Sequence, residues 1–157
     1  MRGVLGGLLV AVVALAAVAG AVLLLQSRDD AGVEKATGPG EHVEARCPAQ
    51  AAPIAHDKRP LTTDQLRSAL ALGNVVLRYR GTRPPGALLS LQDQLTGPYD
   101  AEIAAAGQAV ILAPGAPTGV EALAWGRRQR AGSPSDAQLR AFTEAWLGEG
   151  SPKPCQH

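Results

Sequence analysis

Three groups of side chains in this sequence have types and spacings that could support chemistry. His42, Cys47, His56 and Asp57 carry the nitrogen, sulfur and oxygen donors that bind transition metals. Their spacings of 5, 9 and 1 match no standard ligand template, and the surrounding composition is that of a solvated linker. Cys47 and Cys155 are the only two cysteines, 108 positions apart, and are expected to form one disulfide, with two free thiols as the alternative. Chain-entropy models value such a closure at roughly 4–5 kcal/mol as an upper figure. Without a C-x-x-C pair, redox chemistry has little support. The third group is arginine: Arg78, Arg80 and Arg83, then Arg127, Arg128 and Arg130. If the two clusters lie side by side, six guanidiniums would offer an anion-binding surface to lipid headgroups, an acidic wall polymer or a partner protein. The plain alternative is a solvated, Arg-rich surface.

No nucleophile–base pair and no cofactor signature accompanies these groups. Ser68 has no His or Asp close in sequence and reads as an ordinary helical serine. Charge excludes a further class. With Arg2 set aside, the chain carries 14 basic and 14 acidic side chains, so there is no electrostatic case for nucleic acid.

Location is set by residues 3–25, which contain only Gly, Ala, Val and Leu. As a helix, 23 residues span about 35 Å, enough to cross a hydrocarbon core of roughly 30 Å. Met1 and Arg2 precede the run, and the segment after it is net negative, so the positive-inside rule places the N-terminus in the cytoplasm and the bulk outside. A cleaved signal peptide is the rival. Ala17-Val18-Ala19 has the A-x-A form, but Ala21-Val22-Leu23-Leu24-Leu25 follows it, which favours an uncleaved anchor.

Beyond the anchor, residues 26–60 read as a flexible linker rich in Pro, Gly and charge. Residues 61–148 read as one small domain, and 149–157 as a tail. The domain opens with a capping box, Thr62 with Gln65, on a helix that Gly73 ends in the left-handed conformation. Val75, Leu77 and Tyr79 alternate with Val76, Arg78 and Arg80 as a strand. Leu88, Leu91 and Leu95 recur at helical spacing, and residues 100–106 suggest a short helical turn. Residues 108–113 form a buried-type strand. The reversal at Pro114-Gly115-Ala116-Pro117-Thr118-Gly119 favours a hairpin between that strand and residues 120–128. Ser133 as N-cap, Pro134 at the first position and the stripe Leu139, Phe142, Trp146 predict the last helix. The expected architecture is α+β: a mixed three-stranded sheet with about three helices. Trp125, Phe142 and Trp146 are expected in its core. At this size a covalent brace would help.

Residues 68–148 resemble an uncharacterised bacterial family, domain of unknown function 3105. The resemblance rests on Gly73-Asn74-Val75-Val76-Leu77-Arg78-Tyr79, Pro98-Tyr99, Val110-Ile111-Leu112-Ala113-Pro114 and Ala124-Trp125-Gly126. It implies a single-pass protein with a short linker and a small extracytoplasmic domain. In the family a His-x-Leu-Glu-His run precedes the first glycine. Here Ser68, Leu70, Ala71 and Leu72 stand in its place, so a metal or proton-shuttling site of that kind is absent. The resulting expectation is a non-catalytic, membrane-tethered interaction or scaffold domain of the cell envelope. Its partner would be the membrane with an envelope protein, anionic lipid or polymer. The alternative is an extracytoplasmic enzyme, with or without a metal.

Overall fold

The computed structural model describes residues 38–48, 53–54, 56, 59–153 and 155. The apolar run at residues 3–25, and with it the expected anchor, lies outside them. Among the described residues no helix is long and apolar enough to cross a membrane.

The elements follow in the order β1 (Glu41–His42), α1 (Thr63–Leu72), β2 (Val75–Tyr79), α2 (Gly86–Thr96), α3 (Ala101–Ala105), β3 (Val110–Pro114), β4 (Val120–Ala124), β5 (Arg127–Ala131) and α4 (Ala137–Trp146). The class is α+β. The sheet is mixed and five-stranded, in the order β1-β5-β4-β2-β3.

Local chemistry explains most boundaries. The Thr62 hydroxyl accepts from Gln65 N at 3.2 Å, and Gln65 Oε1 accepts from Thr62 N at 3.0 Å, which closes the capping box on α1. Gly73 ends α1 at φ 112°. Its carbonyl accepts from Gly148 N at 2.8 Å, and a Cβ at Gly107 (φ 77°) would run into the Leu72 carbonyl. Three chain segments therefore meet backbone to backbone at this point, where glycine alone fits. Asn74 binds the junction together, donating to Ala69 O and Ala104 O and accepting from Ala109 N. It is fully buried, and each of these bonds satisfies a group that burial would otherwise leave costly.

The β2–α2–β3 crossover makes β2 and β3 parallel, as expected, but the expected hairpin does not form. β4 pairs antiparallel with β2, on the side away from β3. Tyr79 O accepts from both Gly115 N (2.9 Å) and Ala116 N (3.1 Å), so the chain leaving β3 is drawn across the end of β2 to its far edge. The hairpin is instead β4–β5, joined by the two residues Trp125 and Gly126, the latter at φ 68°. Residues 120–128 are thus parts of two strands. The last helix also starts later than expected. Asp136, not Ser133, is its N-cap, accepting from Gln138 N at 2.9 Å, while Ser133 and Pro134 belong to the preceding turn.

Period-two alternation divides the sheet into two apolar faces. Val75, Leu77, Tyr79, Leu112 and Ala122 pack against α2 and α4 through Leu88, Leu139, Phe142 and Trp146. Val76, Ile111, Ala113 and Leu123 face α1 and α3. Phe142 and Trp146 lie in the core as expected. Trp125 does not: it sits half-buried in the β4–β5 turn.

Part of the stretch read as linker belongs to this fold. β1 pairs with β5, Trp146 Nε1 donates to Pro39 O at 2.7 Å, and Val43 N donates to Gly126 O at 3.0 Å. Cys47 and Cys155 form a disulfide with Cα atoms 5.5 Å apart. The Cys47 sulfur is thereby withdrawn from the His42, Cys47, His56 and Asp57 donor set. His56 has a packing role: its ring stacks on Tyr99 at 4.2 Å, with Nε2 3.0 Å from Gln92 Nε2. Because that amide nitrogen also donates to Val110 O at 2.7 Å, its second hydrogen faces His56, whose Nε2 must accept. Asp57 lies outside the described residues.

Candidate functional site: an arginine-bordered cleft

α1 packs beside β2 on the sheet face that carries Val76 and Ile111, and all of β4 is buried. A cleft of about 480 Å³ opens there, between α1, residues 43–46 and the β4–β5 turn. Leu61, Leu66, Leu70, Ala113, Leu123 and Trp125 line it as an apolar floor and wall. The three leucines at 61, 66 and 70 are only partly buried, so they present hydrocarbon to the opening.

The charged residues of the lining are Arg46, Arg67, Arg78, Arg127 and Glu44. These arginines are not equivalent. Arg46 donates twice to Glu44, at 2.8 and 2.9 Å. The Arg78 guanidinium is occupied on both arms, by Glu121 at 3.1 Å and by Gly115 O at 2.5 Å. Arg127 holds its guanidinium 4.8 Å from the centre of the Trp146 ring, on the other face of the sheet. Arg67, half-buried on α1, has no ion pair among the described residues.

The two arginine clusters are brought near each other, but not side by side. β2 and β5 are separated by β4. Arg78 on β2, Glu121 on β4 and Arg130 on β5 stand in one cross-strand row, so the two clusters share a carboxylate between them. Arg130 Nε lies 3.7 Å from Glu121 Oε1. Arg128 also faces this side, and its guanidinium is held by Glu41 at 2.8 Å. The pairing keeps the Glu41 carboxyl below the usual carboxylate range, through the hydrogen bond first and the charge of Arg128 second. Arg127 alternates to the opposite face. Arg80 and Arg83 are exposed in the loop after β2 and have no ion pair among the described residues. The expected six-arginine surface is therefore three paired arginines on one face, one on the other and two on a loop.

Sequence reasoning missed the cleft, because Arg67 and Arg46 belong to neither cluster and the apolar wall reads as ordinary helix core. The available signal was Trp125-Gly126, a two-residue turn that separates two five-residue runs. The positions that differ from the His-x-Leu-Glu-His run also lie on α1: Ser68 is buried, and Leu72 is 49% exposed at the helix end. The Tyr99 hydroxyl, beside His56, is pushed above its ordinary value by burial, with Asp100 adding to the effect.

Compared with known proteins, the chain matches no family model, no curated protein and no solved structure.

Proposed function

We propose that this protein is a non-catalytic, membrane-tethered interaction domain of the bacterial cell envelope, held outside the cytoplasm. The observation that carries the reading is the Cys47–Cys155 disulfide closing the fold downstream of a charge-free run of 23 residues. Disulfides persist in oxidising compartments, and a run of that length is sufficient to span a bilayer. The resemblance of residues 68–148 to the domain of unknown function 3105 family, as read from the sequence, would imply the same setting.

The charged groups of the cleft support binding rather than turnover. Guanidinium does not release a proton near neutral pH, so Arg46, Arg67 and Arg78 supply fixed positive charge and hydrogen-bond donors. Such a lining suits recognition of an anionic group on an envelope protein, a lipid or a wall polymer.

The test is thiol labelling and mass spectrometry on the full chain in intact cells, with protease added from outside. The expected result is a Cys47–Cys155 disulfide in a domain that the protease reaches. Two reduced thiols in a domain protected from the protease would overturn the placement.

A further inference from the structure

We infer that the cleft binds a single-chain anionic amphiphile, a fatty-acid-type carboxylate whose tail lies along α1 and whose head meets Arg67. The inference deepens the proposed function and rests on it only for the source of the ligand.

Three features converge on this chemistry. The first is size: about 480 Å³ falls within the range of small-molecule sites, roughly 300–1,000 Å³. The second is the mixed lining. Leu61, Leu66 and Leu70, which are only partly buried, stand in the same cleft as Trp125, Arg46, Arg67 and Arg78. A purely polar anion would leave the hydrocarbon wet, and a neutral hydrocarbon would leave the charge unused. The third is the state of the arginines. Arg46 and Arg78 already have carboxylate partners, whereas Arg67 has none among the described residues. A guanidinium with no carboxylate partner among the described residues, beside partly buried leucines, complements one carboxylate on an alkyl chain.

Reach supports a membrane source. Only residues 26–37 separate the apolar run from the first described residue, Gly38, and 12 residues extend at most about 40 Å. If the proposed anchor holds, single-chain carboxylates that partition into the bilayer are the natural source.

The experiment uses the full chain in nanodiscs of uncharged phosphatidylcholine, titrated with 10-bromodecanoate. Bromine quenches tryptophan on contact, and Trp125 lines the cleft. The expected result is saturable quenching that disappears in Trp125→Phe and weakens at least tenfold in Arg67→Gln, the loss appropriate to one charge-assisted hydrogen bond. The uncharged 10-bromodecanol should give no saturable phase over the same concentrations. Equal quenching by the alcohol, an unchanged midpoint in Arg67→Gln, or no saturable phase would each overturn the inference. Circular dichroism of both variants confirms the fold in the same preparations. Saturable binding by a domain found inside the cell would support the ligand assignment while overturning the proposed location. Its absence in a domain found outside would overturn the ligand alone.

Discussion

Arg78 Nη1 stands 3.1 Å from Glu121 Oε2 across the β2–β4 ladder, and the Glu121 side chain is 9% exposed. A carboxylate so nearly removed from water depends on this partner, because Arg130 reaches it only at 3.7 Å and from a largely exposed position. Arg78→Met should therefore destabilise the fold by about 2 kcal/mol, the cost of leaving a buried charge poorly matched. Arg130→Gln should cost under about 0.5 kcal/mol, as exposed pairs do. Urea denaturation of the two variants checks the contrast, and equal losses would refute it.

The disulfide closes a loop of 108 positions. Replacing both cysteines by serine should lower stability by up to about 4–5 kcal/mol in the chain-entropy model, more than the loss expected from Arg78→Met. Denaturation of the oxidised protein, the reduced protein and the double variant tests this. The reduced protein and the variant should agree.

Trp146 ties the segment before Cys47 to α4 through its bond to Pro39 O and its ring beneath Arg127. Trp146→Phe keeps most of the core contact but loses the N–H donor. A loss of about 1–2 kcal/mol is expected, with faster amide exchange in β1. Unchanged exchange there would show that β1 is held by its ladder alone.

Glu41 gives the fold a local pH dependence. Its folded pKa is depressed by Arg128, so its contribution is present above the ordinary value of 4.5 and is lost as pH falls through the lower folded value. Because Glu41 is exposed, the effect should be local. Protection at His42 and Val43, taken relative to the intrinsic exchange rate at each pH, should fall as pH drops below 4.5 and through the lower folded value, before global unfolding begins. In Arg128→Gln this acid step should vanish.

Much of the fold was legible because the signals were local. Thr62 and Gln65 cap α1, Gly73 ends it, and Val75, Leu77 and Tyr79 alternate as a strand because side-chain chemistry within a few residues decides each case. The strand order was not legible. The reversal after Pro114 has the composition of a hairpin, yet its amides bond to Tyr79 O, a residue whose nearness depends on the β2–β3 pairing already being made. β5 was partly merged with β4 because Arg127-Arg128-Gln129-Arg130 lacks the apolar alternation that marks a half-buried strand. The cleft was hidden for a related reason. Leu66 and Leu70 look like core, and only the tertiary arrangement shows that they line a cleft with residues 43–46 and the β4–β5 turn.

The covalent link has a mechanical consequence. Cys47 and Cys155 bring the entry and exit of the fold to one point. A pull between the flanking segments would run through the sulfur–sulfur bond and bypass the sheet. Only the short piece before Cys47, including β1, could peel away; the 108 positions inside the loop, about 360–390 Å of slack when extended, would stay locked while the bond holds. Under tension the domain would behave as a knot of fixed length on its tether, and its cleft wall on α1 would keep its shape.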